Sequence, residues 1–233
     1  MKKQQSGFTL VEIAIVLVIV GLMIGGLVTP LTVQLEQRKV NDTQRAMDEA
    51  KEALFGFALR NGYLPCPAVS ASNGLEDRDG STCTDGRRLG HLPWATLGLP
   101  KLDAWNHLYR YSVAPAYSNS GALFNLKSQA DITLATRNDA GELTPAAAIN
   151  DTVAVLLSHG RNGYGATSAQ DTLLPNLSSN NPDEKVNLGD GTAFVARPVN
   201  DNVAAPGGEF DDLVVWISPN ILYNRMVAAQ RLP

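Results

Sequence analysis

Between Glu12 and Glu36 the chain runs for 23 residues without an ionisable side chain, IAIVLVIVGLMIGGLVTPLTVQL, from Ile13 to Leu35. As a helix rising about 1.5 Å per residue this stretch spans roughly 34 Å, enough for a ~30 Å hydrocarbon layer. Apolar residues make up 44% of the chain, and this run concentrates them; everything after Glu36 is mixed in polarity. Lys2 and Lys3 are the only basic residues ahead of the run. By the positive-inside tendency they stay in the cytoplasm and the long C-terminal part is exported. Glu12 stands against this pattern. A carboxylate in hydrocarbon costs several kcal/mol unless something pairs with it.

A secretory signal peptide would place its small-residue cleavage site after the apolar run, and a plain signal anchor needs no carboxylate. Neither explains Glu12, nor the glycine, Gly7, ahead of the run. The stretch GFTLVEIAIVLVIVGLM, with Gly7, Phe8, Thr9, Leu10, Glu12 and Gly21 in register, resembles the N-terminal signature of type IV prepilins and type II secretion pseudopilins. The resemblance implies cleavage after Gly7 by a prepilin peptidase on the cytoplasmic side, then methylation of Phe8. Glu12 becomes the fifth residue of the mature chain, where the family keeps its glutamate. There it pairs with the new ammonium at Phe8 of a neighbouring subunit, which makes the buried carboxylate a registration device. The alternative is that Glu12 simply snorkels to the headgroups, which would also describe the unassembled state. Pro30, with Gly25 and Gly26 before it, is expected to loosen the helix, because it removes an i→i−4 bond.

The helix then resumes. QLEQRKVNDTQRAMDEAKEALFGFALRNG puts Met47, Ala50, Leu54 and Phe57 on one stripe, with Gly62 as a C-terminal stop. Beyond it, strands are expected at ALFNLKS, DITLATR, DTVAVLLSHG, TAFVARPV and DDLVVWIS, and Tyr109, Tyr111 and Val113 alternate as one strand face. The connection PNLSSNNPDEKVNLGDG reads as a long mobile loop. Ser218 as N-cap and Pro219 at the first helical position open a short final helix. A long helix laid on an antiparallel sheet gives an α+β, pilin-like fold. Its segments are a leader (1–7), a transmembrane and assembly helix (8–35), an amphipathic continuation (36–62) and a periplasmic head (63–233).

The two cysteines, Cys66 and Cys83, bracket a Gly/Ser/Asp-rich loop. A bridge would close the loop and stabilise the fold by about 3 kcal/mol. A pair of free thiols or a metal site is the alternative; export and the lack of any other cysteine favour the disulfide. DAWNHLYRY keeps Asp103, Trp105, Tyr109 and Tyr111 of a D-x-W-G-N-x-Y-x-Y segment that major pseudopilins carry, but lacks its glycine. SHGRNGYG, with the downstream GGEFDDLVVW, resembles the pseudopilin calcium loop. The matching positions are Ser158, Asn162, Asp211 and Asp212. Calcium takes six to eight hard oxygen ligands, and here Asn162 replaces a carboxylate. The glycines of SHGRNGYG read as turn residues, and no GK[ST] follows them. His91, His107 and His159 lie at no metal-ligand spacing and read as turn or surface residues.

No nucleophile, base and orienter group stands out, so no enzyme activity is expected. The net charge is −4, and losing Lys2 and Lys3 with the leader takes it to −6, which leaves no broad footprint for nucleic acid. Together these readings imply a structural subunit anchored once in the bacterial inner membrane, its head in the periplasm or in an extracellular fibre. Its partners would be the prepilin peptidase, other pilin or pseudopilin subunits and the inner-membrane assembly platform. A pseudopilin of type II secretion is the first reading and a minor type IV pilin the second. A membrane-tethered exported enzyme or binding protein is the competitor from another class.

Overall fold

In a computed structural model the described residues are 9–148 and 150–232; the side chains of 24–30 lie outside them. Helix α1 runs from Leu10 to Asn61 without a break, so the expected loosening at Pro30 is not seen in the single chain. The chain divides into two compact units, Met1–Asn41 and Asp42–Pro233.

In the first unit, the large apolar residues from Ile13 to Met23 are between 43% and 72% exposed. No helix among the described residues is long and apolar enough to cross a membrane. The side chains of residues 24–30, in the middle of the apolar run, are outside that set.

Among the described residues the second unit contains the rest of α1 and nine strands: β1 (Arg78–Asp79), β2 (Thr82–Cys83), β3 (Leu89–His91), β4 (Arg110–Val113), β5 (Thr133–Arg137), β6 (Leu143–Pro145), β7 (Ala154–Ser158), β8 (Ala193–Val195) and β9 (Leu213–Ile217). The same described residues hold four short α-helices, α2 (Trp94–Leu97), α3 (Pro115–Ser118), α4 (Pro182–Asn187) and α5 (Pro219–Ala228), and one 3-10 turn at Thr84–Gly86. The main sheet is antiparallel in the order β3-β4-β7-β9, and a second sheet has the order β6-β5-β8. The second sheet is mixed, because β5 pairs with β8 in parallel.

The two-residue period of β7 explains how the layers stack. Ala154 and Leu156 join a core with Met47, Ala50, Leu54 and Phe55 of α1, and with Tyr111, Val113, Val215 and Ile217. Val155 and Leu157 point the other way, into a second core with Leu134 and Phe194 of the smaller sheet and Ile132 just before β5. All five β7 residues are buried, as a central strand covered on both faces requires. The stripe Met47, Ala50, Leu54 and Phe57 is buried as its spacing predicts. The helix stops where Gly62 takes φ 83°.

ALFNLKS is not a strand. Ser128 Oγ accepts the Asn125 N–H, the Ser128 N–H donates back to the Asn125 carbonyl, and Asn125 Oδ1 accepts the Lys127 N–H, closing a turn that competes with extended pairing. Cys66 and Cys83 form a disulfide with Cα atoms 5.4 Å apart. The missing motif glycine also has an account. Asn106, at its position, takes φ 67°, and asparagine tolerates that left-handed conformation better than other side-chain-bearing residues. Asp103 holds the same turn, its Oδ1 accepting the N–H groups of Trp105 at 2.9 Å and His107 at 2.8 Å.

Candidate functional site

The segment expected to be a mobile polar loop is instead the organising element of the second unit's most charged interior. Asn181, Asp183, Glu184 and Asn187 are each at most 1% exposed. Their sequence has the signs of a helix start, with Pro182 in the first turn and two acidic residues after it. What sequence could not show is that the turn faces inward.

Each of these residues ties α4 to a different partner. Asp183 takes a two-pronged bond from Arg137, with both distances 2.7 Å, and an ion pair from Arg197 at 2.7 Å. Asn187 caps the outer edge of β8: Val195 donates its N–H to Oδ1 at 2.8 Å, and Nδ2 donates to the Val195 carbonyl at 3.1 Å. The same Nδ2 donates to Asp212 Oδ2 at 2.7 Å. Glu184 accepts from Asn181 Nδ2 at 2.7 Å, from the Asp211 N–H at 2.8 Å and from Asn162 Nδ2 at 3.1 Å.

Glu184, Asp211 and Asp212 therefore converge, with one ligand oxygen from each within 4.8 Å of the others. Among the described residues none of the three pairs with a lysine or arginine. Asp212 Oδ1 lies 3.3 Å from Nδ1 of His159, so His159 is a buried partner of the cluster and not a surface residue. Asp211 Oδ2 accepts the Asn162 N–H at 2.8 Å, while Asp211 Oδ1 is buried without a partner. Gly160 makes the fit possible. At φ 56° its Cα lies against Asp211, and a Cβ there would stand 2.6 Å from Oδ1.

Burial pushes the Asp211 carboxyl up to about 7, and the neighbouring Glu184 and Asp212 add to the effect against the Asn162 bond. Burial, with Asp212 beside it, also raises Glu184. Such a cluster is relieved either by a proton or by a cation. Two oxygens at calcium distance from one ion stand at most about 5 Å apart, and the observed spacing satisfies this limit. With the free oxygen of Asp211, the residues present fit a hard divalent ion.

Of the four ligands expected from sequence, Asp211 and Asp212 belong to the cluster. Asn162 reaches it through nitrogen, and its Oδ1 instead accepts the Tyr164 N–H at 2.9 Å. Ser158 donates to Asp103 Oδ2 at 2.6 Å and braces the neighbouring turn. Glu184 was not foreseen.

At the other end of the chain Gly7 and Phe8 lie outside the described residues. Glu12 is described and forms a capping box with Thr9. Its Oε2 accepts both the N–H and the Oγ1 hydroxyl of Thr9 at 2.8 Å, and the Glu12 N–H donates to Thr9 Oγ1 at 3.3 Å. The carboxylate is thus satisfied within the single chain.

Residues 2–28 match the family model for the prokaryotic N-terminal methylation motif, so the chain carries a type IV pilin-like signature at its N-terminus. No curated protein and no solved structure matches the chain.

Proposed function

We propose that this protein is a pilin-like structural subunit: a pseudopilin of type II secretion, cleaved after Gly7, methylated at Phe8 and assembled through its N-terminal helix into a periplasmic fibre. The methylation motif over residues 2–28 carries the reading. The apolar surface of the first unit supports it, because side chains such as Leu17, Val18 and Leu22, 62% to 72% exposed, need lipid or neighbouring helices to cover them. In this reading residues 8–35 anchor the subunit in the inner membrane. On assembly Glu12 exchanges its Thr9 donors for the Phe8 ammonium of a neighbour. The prepilin peptidase, other subunits and the inner-membrane assembly platform are its partners, and it catalyses no reaction.

We further propose that Glu184, Asp211 and Asp212 hold a calcium ion that fastens α4 and the loop after β7 to the start of β9. Its role is structural.

Peptide mass spectrometry on sheared and membrane fractions of native cells tests the main reading. Methylated Phe8 confined to membranes is the expected result for a pseudopilin. Methylated Phe8 in the sheared fraction makes the protein a minor type IV pilin instead. An intact peptide across Gly7–Phe8 in every fraction refutes both.

A further inference from the structure

Sheet edges are the places where a β protein can pair with another chain, and folds usually blunt them. Nearly every edge of the two larger sheets here is closed. Ala68 runs along β3, exchanging two backbone bonds of 2.8 Å with His91. Asn187 covers β8 with its side-chain amide. The β6 edge is three residues long and ends in Pro145, which has no N–H to offer.

The fourth edge is different. β9, LVVWI, has no charge, proline or glycine. Its backbone bonds go to β7 and the adjoining Val153, and its outer side bonds no described residue. Val214 and Trp216, on the face of the smaller sheet, are only half-buried. Over the β7–β9 pair, Lys51 of α1 lines a crevice with Ala154 and Leu156 of β7 and with Val215, Trp216 and Ile217, and it makes no ion pair among the described residues.

We propose that the outer edge of β9 docks an extended segment of a second, non-identical protein, which adds a strand to the main sheet. Unpaired backbone donors and acceptors in a row select an extended peptide, and alternate side chains give specificity. The segment presents apolar side chains continuous with the two cores and a carboxylate toward Lys51. The choice of a non-identical partner rests on the fibre reading. Subunits in a helical array meet through two different surfaces, and among its described residues a second copy has no other open edge of useful length to offer β9.

Residue-resolved amide hydrogen exchange on the full chain in detergent micelles is the first test. Protection along 213–217 should alternate, with outward amides exchanging roughly 100-fold faster than those bonded to β7. Five uniformly slow amides would mean a covered edge and overturn the proposal.

The second test places a photocrosslinker at Val214 in cells that build the native assembly. The expected adduct is with a different protein. It is lost when proline replaces whichever of Val215 and Trp216 exchanges fast, with the unfolding midpoint retained, and Lys51→Glu lowers its yield about fivefold. An adduct with a second copy, an adduct indifferent to the proline, or no adduct overturns the proposal. Unmethylated Phe8 would remove the fibre reading, and with it the case against a second copy, while leaving the exchange result standing.

Discussion

The buried carboxyl of Asp211 makes a pH-dependent prediction that a structural calcium ion should cancel. Its folded value, about 7, is well above the ordinary 3.8, with burial as the main cause. The difference corresponds to roughly 4 kcal/mol favouring the protonated form. Because the folded value is the higher one, this stability is fully present below the unfolded value and is lost as pH rises through about 7. Between about pH 5 and pH 8 the metal-free chain should lose about 2.5 kcal/mol from this residue alone. Glu184, also raised, acts with the same sign. Calcium binds the ionised form, so its stabilising effect should grow over the same range. Denaturant unfolding of the full chain in micelles, followed by tryptophan fluorescence with chelator or with about 1 mM calcium, reads both effects. Asp211→Asn should flatten the metal-free pH dependence relative to the parent and abolish the calcium response. A metal-free parent whose stability is flat or rises across that range would refute the burial argument. A calcium response that survives in Asp211→Asn would refute the ligand assignment.

Three further outcomes follow from named contacts and are read by the same unfolding assay. Asn187→Ala strips β8 of its edge cap and Asp212 of a donor, and should cost about 2–3 kcal/mol, since it leaves buried groups unpaired. Asn106→Gly should be neutral within about 0.5 kcal/mol, while Asn106→Val should lose about 1–2 kcal/mol, because the backbone there is left-handed. Cys66→Ser should cost about 3 kcal/mol, and the same loss should appear when the parent is reduced.

What could be read from sequence divides by the range of the interaction that decides it. The helix stripe through Met47 and Leu54, the alternation of Tyr109, Tyr111 and Val113, and the helix start at Ser218–Pro219 are set by neighbours a few residues away, and the structure has them, although the Ser218 side chain makes no cap bond. ALFNLKS failed as a strand for the same local reason in reverse: apolar spacing was legible, but the bonds that close the turn from Asn125 to Ser128 are stronger than the pattern. The acidic cluster depends on contacts between distant segments. Asp211 and Asp212 were visible as a pair, yet their third member, Glu184, sits in a stretch with few apolar residues, where polarity argues for exposure. There the Asp183 carboxylate between Arg137 and Arg197, and the amides of Asn181 and Asn187, replace a hydrophobic core in holding the helix inward. Composition records such residues as a solvated loop, because the partners that pay for their burial are tens of residues away in sequence. A strand with five uncharged residues is easy to find, but that its outer side stays open while β3 and β8 are closed by Ala68 and Asn187 is a property of the assembled sheets. The open edge and the buried acids adjoin in sequence, since Asp211 and Asp212 lead directly into Leu213. An ion on those acids would therefore fix the start of the strand that a partner has to meet.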